Sequence, residues 1–248
     1  MTMKKIIAGS LAAIMFLSCM SFILTDNLVY AKTDITKNAD KFHYAQLDET
    51  AQSIYDGIYT MYEKGILKTG TQDYDLAANG HFSDKQLQEC VKNNPKLTNA
   101  MNAARYAFYA DYPEVFYVNF PKLSLRTTKG EDGTFHIYLG SGRYENYYID
   151  GFSNEAEVNA AVQSFNARVN EIVKGADTLK IPEGKTKQVE QIRYVHNEII
   201  NNVSYRLEDT CFEGDDDNKS NASYLGTPYG ALVKKQAVCE GYARAFKT

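Results

Sequence analysis

Tryptophan is absent from the 248 residues, and cysteine and proline are scarce, at four and five. Basic charge is not in surplus: 27 Lys and Arg stand against 31 Asp and Glu, a formal charge of -4. A chain so balanced has nothing with which to neutralise a phosphate backbone or an anionic bilayer, which argues against nucleic acid as a partner. No C-x-x-C, H-x-x-x-H or H-E-x-x-H spacing occurs, so a zinc site has no support. Gly140-Ser141-Gly142 lacks the third glycine and following helix of a nucleotide loop, and Asp215-Asp216-Asp217-Asn218 lacks the later glycine and glutamate of a calcium loop. No cofactor is expected. What is present, 44% apolar and 23% charged residues, is the balance of a soluble globular chain. Nineteen tyrosines without tryptophan could suit a sugar- or peptidoglycan-contacting surface, although scattered tyrosine usually serves packing.

Residues 1-31 read as a signal peptide. Lys4 and Lys5 precede an apolar run from Ile6 to Leu24, and Val29-Tyr30-Ala31 offers small residues at -3 and -1. Export and cleavage after Ala31 are expected, the protein being secreted or held at the cell surface, with no membrane contact beyond that segment. Phe16-Leu17-Ser18-Cys19 is a degenerate lipobox and leaves lipidation at Cys19 as an alternative, with an uncleaved anchor as a third. Cleavage removes Lys4, Lys5 and Asp26, leaving 25 basic and 30 acidic residues. Cys90, Cys211 and Cys239 remain, an odd number that leaves at least one thiol free or paired between chains.

Period and punctuation predict an α+β protein. Leu47, Ala51, Ile54, Tyr55, Ile58, Met61 and Tyr62 give a helix over 46–64 closed by Gly65. Leu97, Met101, Ala104 and Phe108 give another from Pro95 to the stop at Asp111-Tyr112-Pro113, with a short helix at 83–93 between them. Runs at 115–118, 123–126, 135–139 and 144–149, with a turn at Gly130-Glu131-Asp132-Gly133, predict a small antiparallel meander. Ser153 is the expected cap of an amphipathic helix to about 174. The loop 175–184 is the expected boundary between an N-terminal module, 32–180, and a second region, 185–248. In the latter, Val189, Ile192, Val195, His196, Ile199, Ile200 and Val203 form one helical stripe, a polar loop spans 207–223, and Thr227 caps a short helix from Pro228. A last helix starts near Cys239 with Ala243 and Phe246 facing a core.

That start is where chemistry concentrates. A thiol in the first turn of a helix meets unsatisfied N–H groups and the positive end of the helix dipole, which favour thiolate and can receive an oxyanion. The bland reading is a buried, inert thiol. Tyr229-Gly230-Ala231-Leu232 followed by Val238-Cys239-Glu240-Gly241-Tyr242-Ala243 resembles the nucleophile region of bacterial transglutaminase-like proteins, and Ile192-Arg193-Tyr194-Val195-His196-Asn197-Glu198-Ile199-Ile200 resembles the preceding helix. The likeness covers about 186–248, with a weaker one at Asp111-Tyr112-Pro113-Glu114-Val115-Phe116-Tyr117. It implies a papain-like fold and a Cys-His-Asp triad. Only Cys239 maps, because the family's His and Asp follow the nucleophile helix and this sequence ends nine residues after Cys239.

His43, His81, His136 and His196 give no convincing base, His196 reading as a core or hydrogen-bonding side chain. The implied function is acyl transfer through a Cys239 thioester on glutamine or peptide carbonyls of a protein or peptide substrate, cell-wall-associated ones included. The alternative is a non-catalytic envelope-binding module of the same fold. As given, the chain is expected to be inactive and to leave the apolar faces around Ile199, Val203 and Phe246 uncovered.

Overall fold

The structure, a computed structural model, describes residues 38, 40–69, 73–92, 94–142, 144–206 and 224–248. The signal segment, Cys19, Cys211 and the Asp215–Asp217 run lie outside these residues. The described chain is α+β: helices with a small antiparallel sheet of three strands. Its internal contacts divide it into two units, residues 38 to 166 and residues 167 to 206 with 225 to 248.

In the first unit, helix α1 (Glu49–Glu63) begins where the Asp48 carboxylate accepts the Ala51 N–H at 2.8 Å, and ends at Gly65, whose φ of +73° suits glycine. A short helix α2 (Ile66–Thr69) leads to β1 (Tyr74–Asp75), α3 (Asp84–Lys92) and α4 (Asn94–Asp111). The α1 stripe of Ala51, Ile54, Tyr55, Ile58 and Met61 is buried, and Tyr55 meets Phe108 of α4 edge-on at 5.2 Å. Strands β2 (Ser124–Lys129) and β3 (Phe135–Gly140) form a hairpin with Thr127 opposite Ile137, and β1 adds to the other edge of β3.

The meander is therefore smaller than the sequence suggests, and differently built. Segments 115–118 and 144–149 are not strands; they touch through a single bridge, Val118 to Tyr148. Pro113 and Pro121 start 3-10 turns (Pro113–Val115 and Phe120–Lys122), which curl the backbone away from a ladder. The third strand is β1, two residues long and too short to show a period.

Helix α5 (Glu155–Asp177) is capped by Asn154, one residue later than expected. Its Oδ1 accepts the Glu157 N–H at 3.0 Å, while Glu157 Oε2 accepts the Ser153 N–H at 2.7 Å. The expected boundary loop starts only after Asp177, since Gly175 continues the helix with the Tyr194 ring lying where a β-carbon would project. The contact division falls inside α5, between Asn166 and Ala167.

The second unit takes the rest of α5, then α6 (Lys187–Asn202), β4 (Ser204–Tyr205), α7 (Pro228–Leu232), β5 (Gln236–Ala237) and α8 (Cys239–Lys247). Strands β4 and β5 pair in parallel. The α6 stripe is not covered along its whole width. Ile199 and Val203 are buried, in contrast to the uncovered faces expected there, because one line at four-residue spacing faces the interior. Val189, Ile192 and Ile200 wind away from that line and stay exposed.

Candidate functional site

Cys239 is the first residue of α8, and three local devices put it there. Thr227 Oγ1 accepts the Gly230 N–H at 3.1 Å and caps α7, as its sequence predicts. At the turn after α7, Lys235 adopts φ +59°, the left-handed region, and its carbonyl accepts the Ser204 N–H at 2.8 Å. The β4–β5 ladder continues with Arg206 N–H to the Ala237 carbonyl at 3.1 Å, and Val238 N–H bonds the Leu225 carbonyl at 3.1 Å. Both flanks of the strand that delivers Cys239 are thereby tied down.

Helix α8 then lies directly on the 225–227 turn. A β-carbon on Gly241 would collide with the Leu225 carbonyl oxygen and come within 2.9 Å of Ala237 Cβ, so this position admits little beyond glycine. The buried residues are Gly241 and Ala245, whereas Ala243 is exposed and Phe246 half-buried. The expected pairing of Ala243 with Phe246 on the core side is thus corrected; the helix is rotated about its axis because Gly241 gives the closest approach. Tyr242 reinforces the placement. Its hydroxyl donates to the Val203 carbonyl at 2.7 Å, its ring stacks on Tyr205 at 6.0 Å, and burial pushes its phenol up to about 12.

Cys239 is half-exposed, and residue 238, a valine, offers the first turn no side-chain cap. Three N–H groups, those of Cys239, Glu240 and Gly241, precede the first intrahelical bond, Tyr242 N–H to the Val238 carbonyl at 3.2 Å. Such a turn can receive an anion or a developing oxyanion. The only acidic residue of that turn is Glu240, drawn along the helix by Arg244, whose Nε and Nη2 donate to Glu240 Oε1 at 3.0 and 2.8 Å.

Other sequence-marked groups lie apart from this arrangement. Cys90 is buried in α3, and burial pushes its thiol up, which makes it a poor nucleophile. His136 pairs through Nδ1 with Asp75 at 2.7 Å, and His81 bonds the Tyr74 hydroxyl at 3.0 Å; both belong to the first unit, as does His43. His196 is in the second unit but half-exposed, 3.3 Å from Asn197 Oδ1, and does not sit in a core. Gly140 ends β3 and Gly142 turns at φ +58°, with no helix following.

Among the described residues no cluster of three or more His, Cys, Asp or Glu could hold a metal, and no helix is long and apolar enough to cross a membrane. Two features escaped the sequence reading. One is the charged group of Arg168, Glu171, Glu198 and Lys235, in which Arg168 reaches Glu171 at 2.7 Å and Glu198 at 2.8 Å. Burial, and then Arg168, lowers the Lys235 ammonium. Nothing in one dimension announces that meeting. The Glu240–Arg244 pair, by contrast, has the i, i+4 spacing that could have revealed it. Compared with protein-family models and with curated proteins, the chain matches none.

Proposed function

We propose that the protein is an exported thiol enzyme of the transglutaminase-like kind, with Cys239 as its nucleophile and a protein or peptide as its substrate. The thiolate adds to a glutamine carboxamide or peptide carbonyl, and the electron pair moves to oxygen, where the first-turn N–H groups of α8 can donate to it. The carbonyl re-forms as the C–N bond breaks. Ammonia or an amine leaves, its nitrogen taking up a proton from solvent that balances the one the thiol gave up, and a thioester remains on Cys239. Attack by an amine or water on that thioester returns the thiol and releases amide or acid.

One observation carries the reading. Cys239, half-exposed, opens a nine-residue helix whose preceding residue, Val238, supplies no side-chain cap to the first turn. A cysteine kept only for packing has no use for that position. The test is alkylation rate against pH for the three cysteines of the mature chain, mapped by mass spectrometry. Cys239 is expected to react first and Cys90 last. Should Cys239 react no faster than a thiol in an unstructured peptide, the enzyme reading gives way to a binding module.

A further inference from the structure

The residue after the candidate nucleophile is an acid, the wrong sign of charge beside a sulfur that must become a thiolate. Glu240 is nevertheless not left to itself. Arg244 grips one of its oxygens with both Nε and Nη2, at 3.0 and 2.8 Å, and the other oxygen lies 3.2 Å from where a β-carbon on Gly226 would stand. The arginine side chain is 17% exposed against 58% for the glutamate, so the fixed member is Arg244 and the tethered one Glu240. The carboxylate is thus engaged by a cation one turn along the helix.

We infer that Arg244 is a positioning residue for the Cys239 site, holding the Glu240 carboxylate so that the thiolate forms beside an ion pair and not beside a bare anion. The inference rests on reading Cys239 as the nucleophile. Most charged and titratable groups on the elements around α8 have partners of their own. On α6, Glu190 pairs with Arg193 and Glu198 with Arg168, while His196 lies by Asn197. Lys234 lies over the Tyr229 ring of α7, and Tyr205 stacks on Tyr242. Lys235 is coupled to Arg168, Glu171 and Glu198. Arg206 follows β4, and Lys247 lies in the last turn of α8. The Glu240–Arg244 pair is the charge nearest in sequence to the sulfur.

The experiment measures iodoacetamide alkylation of Cys239 at pH 7 in the full chain, at low and high salt, for the native protein and four variants. Arg244→Gln is expected to slow the reaction about threefold at low salt, the effect of one added water-screened charge on a thiol–thiolate equilibrium. The loss should shrink toward nothing in about 1 M salt. Glu240→Gln combined with Arg244→Gln should restore the native rate, and Arg244→Lys, which keeps the charge, should stay within about twofold of it. An unchanged rate in Arg244→Gln, or a loss that the double variant does not restore, overturns the inference.

Circular dichroism follows the fold of each variant. If Arg244→Gln does not fold, the comparison of Arg244→Lys with Glu240→Gln decides: the first near the native rate and the second no slower support the inference, and a slowed Glu240→Gln overturns it. A native Cys239 no more reactive than a peptide thiol would remove the enzyme reading and the role of Arg244 with it, an outcome distinct from a reactive Cys239 whose rate ignores Arg244.

Discussion

The largest fully buried side chains, among them Tyr55, Tyr117, Tyr147, Phe108, Phe116 and Phe165, all belong to the first unit, while Val173, Val189, Ile192 and Ile200 stand exposed in the second. The first is built on interlocking aromatic rings whose hydroxyls meet carboxylates: Asp111 accepts from the Tyr55 hydroxyl and from the Tyr44 N–H at 3.1 Å each, and Glu114 accepts from Tyr62 at 3.0 Å. The second is held by close backbone approach, a two-residue parallel ladder and a charged group. Bulk stability and the candidate chemistry are thus lodged in different places, one resting on buried volume and the other on exact placement of short segments.

The largest effect should come from emptying the aromatic core. Phe108→Ala removes a ring stacked on Tyr112 at 4.7 Å and packed against Tyr55, and should cost about 3–5 kcal/mol by denaturant titration. A loss under about 1 kcal/mol would dissolve the contrast between the units. Gly241→Ala should cost about 1–3 kcal/mol, since a β-carbon there meets backbone that cannot yield easily, and should also alter the alkylation rate of Cys239. If stability falls but Cys239 reacts unchanged, the placement argument for α8 is wrong.

Alkali should distinguish the units more gently. Burial raises the phenols of Tyr55, Tyr62, Tyr112 and Tyr117 well above their ordinary 10, and pushes Tyr147 and Tyr242 up to about 12. A phenol raised in the folded state ionises first in the unfolded chain, so its contribution is intact below pH 10 and is lost as pH climbs toward 12 and beyond. Five of these six tyrosines are in the first unit. Tyrosinate absorbance should therefore rise mainly with cooperative unfolding, and Tyr242→Phe should change the transition little. Smooth ionisation of the buried set near pH 10 with the fold intact would contradict this. Smallest of all, Ile200→Ser should move stability by no more than about 0.5 kcal/mol, because that side chain is already 41% exposed, while lowering the binding of a hydrophobic dye.

Long periodic segments were legible. The stripes of α1, α4 and α5 and the caps at Gly65 and Thr227 follow from spacing alone, as does the start of α8 at Cys239. The failures have physical causes. The run at 115–118 has strand composition, but flanking prolines and 3-10 turns override it, and the run at 144–149, its partner, is left with one bridge; β1 is too short to carry a pattern; and the α6 stripe is apolar over a wider arc than its neighbours cover. At the candidate site, the sequence pointed to the thiol and its helix. Gly241 packed on the Leu225 carbonyl, Lys235 in a left-handed turn and the Arg168 group depend on contacts between segments far apart in the chain.

At the other end of the described chain, Asn38 is almost wholly buried; its amide donates to Asp56 at 2.8 Å and accepts from the Tyr112 hydroxyl at 2.9 Å. That clasp works as a stop mark for trimming. A chain that lacked Asn38 would strand a carboxylate oxygen of Asp56 and the Tyr112 phenol, which share that one amide.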